Sequence, residues 1–210
     1  MRIGLDFDNT IVSYDQLFHK VALEKSLISS EVPINKVAVR DHLRKAGQED
    51  IWTEMQGYVY GARMEEASAY TGAIDALKLL KLQGHKLFIV SHKTQFPYAG
   101  EQYDLHQSSS KWIKNQLQLS DFPLIDHVDV FFNATKAEKI QKIEQLECDI
   151  FLDDLPEILL AEQFPEKTKR CLFDPEGHHT GLQNPTLINH QSWKEFSDWV
   201  YKLGRNNEPN

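Results

Sequence analysis

Residues 5–10 read LDFDNT. Two carboxylates, Asp6 and Asp8, stand two positions apart at the end of a short apolar run. A run of this kind, RIGLDF over 2–7 and closed by a polar turn, reads as a buried strand. That reading puts both acids at the strand's carboxyl end. An acidic pair in that position is ordinarily turn chemistry. Whether it is more depends on what the other strands carry at the same end.

Four further strands follow: KLFIVS at 86–91, VDVFFN at 128–133, CDIFLDD at 148–154 and TKRCLF at 168–173. Helical periodicity separates them. GAIDALKLLKLQG at 72–84 turns Ile74, Leu77, Leu80 and often Leu79 to one side and stops at Gly84. SSSKWIKNQLQL at 108–119 starts on serine caps, and KAEKIQKIEQL at 136–146 repeats Ile140, Ile143 and Leu146. LPEILLAEQF reads as a helix after the fourth strand. Strands alternating with helices predict an α/β fold, a Rossmann-like parallel sheet with helices on both faces.

Residues 14–70 break the rhythm. YDQLFHKVALEKSL, NKVAVRDHLRKAG and EDIWTEMQGYVYGARMEEASAY carry helical patterns and no strand run. The predicted organisation is a discontinuous core, 1–13 with 71–205, interrupted by a small all-helical domain at 14–70. A frayed tail is expected at 206–210.

Composition narrows the function. A chain of 210 residues supports one good core and a small second domain. Its net charge of −8 argues against a non-specific grip on a nucleic acid polymer or an anionic membrane. No apolar run approaches the roughly 20 residues that span a bilayer. Asp6 and Asp8 interrupt what would be the apolar stretch of a signal peptide, so a cytoplasmic protein is expected. Cys148 and Cys171, both beside apolar runs, read as reduced and structural.

In a parallel sheet, ligands sit beyond the carboxyl ends of the strands. Strand one ends in Asp6 and Asp8, strand two in Ser91, strand four in Asp153 and Asp154, and Lys139 lies on the helix before strand four. Each alone has a bland reading as a turn or cap residue. Together they place four acids, a hydroxyl and an ammonium on one edge of the sheet.

With these residues in view, the sequence resembles the haloacid dehalogenase (HAD) superfamily of phosphohydrolases over most of the chain outside the insertion. DFDNT at 6–10 resembles its first motif, Asp-x-Asp-x-Thr, and Ser91 in IVSHKT its second. Lys139 or Lys136 resembles the lysine of its third motif, and FLDDLPE its acidic fourth. Lys139 precedes Asp153 by 14 residues, as in members with a short linker; Lys136 lies nearer the loop after strand three.

The resemblance implies a Mg²⁺-dependent phosphatase. Asp6 would be the nucleophile that forms an aspartyl-phosphate, and Asp8 the acid and then the base. Asp6, the backbone carbonyl of Asp8, and Asp153 would hold the metal, with Asp154 either a further ligand or an acceptor supporting the ligands from behind. Ser91 and the lysine would hold the transferring oxygens, with Asn9, Thr10 and His92 also toward substrate. The implied substrate is a small phosphorylated metabolite, a phosphosugar or a nucleotide monophosphate, and the protein a monomer or homodimer. An aspartate at position 8 favours phosphatase over dehalogenase or ion pump. A phosphomutase and a catalytically silent binding or regulatory protein remain as alternatives.

The insertion resembles the helical cap of that family, which closes over the site and sets specificity. Arg40, Arg44 and Lys45 make a basic cluster in it; a contact with a second substrate anion competes with the simpler reading of a solvated face. Arg63, Trp52, Tyr58 and Tyr60 read either as cleft lining or as the insertion's own core. His178 and His179 in DPEGHHTG read as a loop rather than a metal site. Residues 92–107 are long for a loop at a strand's carboxyl end and are a candidate second wall of the site.

Overall fold

The structure is a computed structural model and describes residues 1–118 and 122–205. The expected tail at 206–210, and the last residue of the helix read over 108–119, lie outside the described residues.

In chain order the strands are β1 (Arg2–Leu5), β2 (Val12–Ser13), β3 (Ser68–Ala69), β4 (Lys86–His92), β5 (Val130–Asn133), β6 (Ile150–Asp153), β7 (Lys169–Phe173) and β8 (Leu187–His190). The helices are α1 (Asp15–Glu24), α2 (Lys36–Lys45), α3 (Glu49–Tyr60), α4 (Ala73–Leu82), α5 (Leu105–Leu117), α6 (Lys136–Gln145), α7 (Pro156–Leu159) and α8 (Trp193–Arg205). Six strands form one parallel sheet in the order β5-β4-β1-β6-β7-β8, and β2 pairs with β3 separately. The five strands read from the sequence are all present. The sixth, β8, was not anticipated: LINH is four residues long and borders a single neighbour, so it carries little of the apolar signal of a buried strand. Helix α7 is one turn where the sequence reading carried a helix through LPEILLAEQF.

The chain divides into two compact units. The first comprises 1–11, 69–92 and 117–210, and the second 12–68 and 93–116. In the first, β1 and β6 are the central strands of the sheet, and Ile3, Leu5, Ile89, Val90, Ile150 and Leu152 are wholly excluded from solvent. A side chain at Gly4 would come within 2.5 Å of the Phe151 ring, so the closeness of β1 to β6 needs glycine there. Helix α6 packs on β4 and β5, α7 on β6 and β7, and α8 on β8 and against α4.

The second unit is helical apart from short strand and turn segments, and it holds the aromatic residues of the insertion. Trp52 is buried and packs 4.9 Å from Phe18, while Tyr14 and Tyr60 meet edge to face at 4.8 Å. Trp52 and Tyr60 therefore belong to this unit's core. Its arginines are paired internally: Arg40 with Asp41 at 2.8 Å, Arg44 with Glu49 at 2.6 Å, and Arg63 with Glu24 at 2.7 Å and with Glu66. The unit also takes in 93–116, a stretch the sequence reading leaves in the core. The Trp112 indole N–H donates to the Ala67 carbonyl at 2.8 Å, and Lys111 pairs with Glu65 at 2.8 Å. Among the described residues no helix is long and apolar enough to cross a membrane.

Candidate active site

The register of the sheet builds the site. Leu5 pairs with Leu152, and the Asp6 N–H donates to the Leu152 carbonyl at 2.8 Å, so Asp6 and Asp153 emerge side by side from adjacent strands. The chain then turns sharply. The Ile11 N–H donates to the Phe7 carbonyl at 3.0 Å, and Asn9 adopts a left-handed backbone with φ 56°. Asparagine tolerates that conformation better than most residues because its short amide bonds locally. The Asp153 carboxylate caps its own turn by accepting from the Leu155 N–H at 2.9 Å.

Lys139 arrives from α6. The segment TKAE forms a reciprocal cap: Thr135 Oγ1 accepts from the Glu138 N–H at 3.1 Å, and Glu138 Oε2 accepts from the Thr135 N–H at 3.0 Å. This fixes where the helix begins and turns Lys139 inward with Ile140 and Ile143. Lys139 is 1% exposed, and its Nζ lies 2.6 Å from Asp6 Oδ1 and 2.6 Å from Asp153 Oδ2. Lys136, at the first position of the same helix, is exposed and pairs with Glu157. Of the two candidate lysines, Lys139 therefore stands at the carboxylates.

Oxygens of Asp6, Asp153 and Asp154 lie within 4.8 Å of one another. Three carboxylates against one ammonium leave two negative charges, matching a divalent cation. Hard carboxylate oxygens are the donor set that Mg²⁺ takes. The residues therefore fit the metal. Burial pushes the Asp6 carboxyl up to about 7, with Asp153 and Asp8 adding to the rise and Lys139 opposing it. Burial also disfavours the Lys139 ammonium, but Asp153 and Asp6 outweigh it and hold the group protonated, above the usual lysine value.

Two hydroxyls complete the edge. Ser91 Oγ and Thr10 Oγ1 are buried, and neither has a hydrogen-bond partner among the described residues. A buried hydroxyl without a partner costs about 1–3 kcal/mol, which a bound oxyanion would offset. His92 is half-buried, and its Nε2 lies 3.2 Å from the Ala134 carbonyl. Burial lowers its pKa despite that carbonyl, so the ring is neutral near pH 7.

Two supporting residues escaped the sequence reading. The Asn133 amide donates to the Ser91 carbonyl at 3.1 Å, and the Trp193 indole donates to the Thr10 carbonyl at 3.0 Å. Asn133 was legible as one more polar residue at a strand end. Trp193 lies 183 residues from its partner and gave no local signal. Away from the site, the Asp174 carboxylate accepts from the backbone N–H groups of His178 and His179 at 2.8 Å each, so that pair belongs to a loop. Cys148 and Cys171 are buried free thiols, and burial raises the pKa of both.

No family model matches the chain. A Bacillus cereus protein named "Putative nucleotidase" is 23% identical over 209 residues, covering 96% of this chain and 99% of its own. A HAD family hydrolase from Deinococcus radiodurans R1, with bound phosphate and sodium, superposes with a TM-score of 0.61 at 12% identity over 97% of this chain and 96% of its own. A HAD-hydrolase of Bacillus subtilis bound to magnesium gives 0.56 at 16% identity over 95% and 97%. The fold is that of the HAD superfamily.

Proposed function

We propose that this chain is a Mg²⁺-dependent phosphomonoester hydrolase whose substrate is a nucleoside monophosphate. The carrying observation is the buried Lys139 ammonium set 2.6 Å from both Asp6 and Asp153, with the Asp154 carboxylate alongside. Asp6, Asp153, Asp154 and the backbone carbonyl of Asp8 are the groups to hold the metal. The ion supplies positive charge that lets an anionic nucleophile approach an anionic phosphate.

In this reading an Asp6 carboxylate oxygen attacks phosphorus, and the bond from phosphorus to the leaving oxygen breaks. Asp8 gives that oxygen its proton. Asp8 then takes a proton from water, whose oxygen attacks the phosphorus of the aspartyl-phosphate. Inorganic phosphate leaves and Asp6 is a carboxylate again. Lys139, Ser91 and Thr10 are assigned to the phosphoryl oxygens, where their donors meet the charge redistributed in the transition state. Asn9 shapes the turn between Asp8 and Thr10, and His92 adjoins Ser91.

Among phosphate monoesters the nucleotide is favoured over the phosphosugar because the Bacillus cereus relative, matched nearly end to end, carries a nucleotidase name. The helical unit is assigned the role of a cap that selects among substrates. The buried free thiols accord with a cytoplasmic protein. The test is phosphate release from a panel of nucleoside monophosphates, phosphosugars and an aryl phosphate, with Mg²⁺ and with excess chelator. The expected result is metal-dependent release that is fastest on a nucleotide. Full activity in chelator, or no release from any member, overturns the assignment.

A further inference from the structure

The helical unit carries a half-open surface cavity of about 170 Å³, with exposed Lys25, Glu54 and Glu101 at its rim and Tyr58, Tyr103, Leu27, Ile51 and Met55 lining it. It is smaller than the roughly 300–1,000 Å³ of pockets for drug-sized ligands. One wall is the loop 97–103, seated against α3 at two glycines. A Cβ at Gly57 would lie 2.7 Å from Pro97 Cβ, and one at Gly61 would lie 2.3 Å from Tyr103 Cβ. Glycine inside a helix costs about 1 kcal/mol relative to alanine, so Gly57 pays for a close fit that preforms this wall.

The charges lining the cavity are of both signs. Lys25 Nζ sits 4.7 Å above the Tyr58 ring and makes no ion pair among the described residues, so its charge is open to a ligand anion. Glu54 is exposed and has no ion-pair partner among the described residues either. Glu101 accepts from the Tyr103 hydroxyl at 2.8 Å; burial and that bond push the Tyr103 phenol up to about 12. Two carboxylates against one ammonium make the cavity unsuited to a phosphate. They suit a ligand that carries one anionic and one cationic group on a small apolar body.

We infer that this cavity binds a free α-amino acid with an apolar side chain. Its carboxylate meets Lys25, its ammonium meets Glu54 and Glu101, and its side chain lies on Leu27, Ile51 and Met55. The inference does not rest on the phosphatase reading, and its test measures binding rather than turnover.

The experiment is calorimetric titration and thermal shift of the full-length protein with leucine, methionine and phenylalanine. Isoamylamine and isocaproate, which each lack one charge, serve as controls. At least one amino acid is expected to bind and raise the Tm, with both controls at least tenfold weaker. Lys25→Met and Glu54→Gln, at exposed positions, are each expected to fold with a normal Tm and to bind that amino acid at least tenfold more weakly. Absence of binding by all three at millimolar concentration overturns the inference. So does equal binding of a single-charge control, or binding unchanged in both variants.

Discussion

Lys139 Nζ meets Asp6 Oδ1 at 2.6 Å across 133 residues of sequence, in a pocket where the lysine is 1% exposed. Removing one partner of such a pair strands a buried charge. Lys139→Met should cost about 3–5 kcal/mol in denaturant titration without metal, because Asp6 and Asp153 then face each other uncompensated. It should also abolish phosphate release. Lys136→Met, at an exposed ion pair, should change stability by less than about 1 kcal/mol and leave turnover near wild type. The reverse ranking of the two variants would show that Lys136 is the working lysine.

Asp6→Asn should eliminate turnover in a folded protein, since an amide is a far poorer nucleophile. Asp153→Ala should weaken Mg²⁺ binding and activity together, because one hard oxygen donor is lost. Titration calorimetry with Mg²⁺ and a phosphate-release assay separate these effects. Wild-type release by Asp6→Asn would remove Asp6 from its assigned role.

The left-handed backbone at Asn9 predicts a split between two substitutions. Asn9→Gly should be tolerated within about 1 kcal/mol. Asn9→Val should cost about 1–3 kcal/mol, because a β-branched side chain clashes in that conformation. Its turn connects Asp8 to Thr10, so its kcat should fall as well. Equal stability of the two variants would mean that the turn relaxes freely.

His190 sits 3% exposed beside Phe196 and Trp199, at ring distances of 5.3 and 5.4 Å, and its Nε2 has no hydrogen-bond partner among the described residues. Burial lowers its pKa to about 4, with Glu195 opposing. Between that value and its ordinary 6.5 the unfolded chain binds a proton that the folded chain does not, so stability falls as pH drops through this window. The loss is at most roughly 3 kcal/mol. Asp6, raised by burial, pulls the other way as pH drops below about 7 in metal-free protein. The measurement is therefore the difference between wild type and His190→Phe in urea titrations at pH 7.5 and 5. The variant should lose less stability on acidification; identical slopes would contradict a buried neutral His190.

Deleting 14–70 alone should give an aggregating protein. Segment 93–116 packs with that insertion: Pro97 and Tyr103 seat against Gly57 and Gly61, and Trp112 bonds the Ala67 carbonyl. Solubility on size-exclusion chromatography is the readout. A monodisperse, folded deletion would show that 93–116 holds its structure without the insertion.

The sequence by itself determined the strand ends. Apolar runs closing on Asp6, Ser91 and Asp153 are local patterns, and in a parallel sheet the carboxyl ends of the strands share one edge. It also determined the start of α6, because the cap formed by Thr135 and Glu138 is made within one turn. Tertiary structure decided the rest. Lys136 and Lys139 lie on one helix at spacings too close to separate by pattern, and only packing of α6 on β4 and β5 shows which is buried. The partition of 93–116 with the helical unit depends on contacts with α3 and its flanking turn, tens of residues away. The indole of Trp193 reaches the Thr10 carbonyl because β8 and α8 return the chain to the sheet. Local sequence encodes which way a side chain faces along its own element; which element it meets is set by how those elements exclude water together.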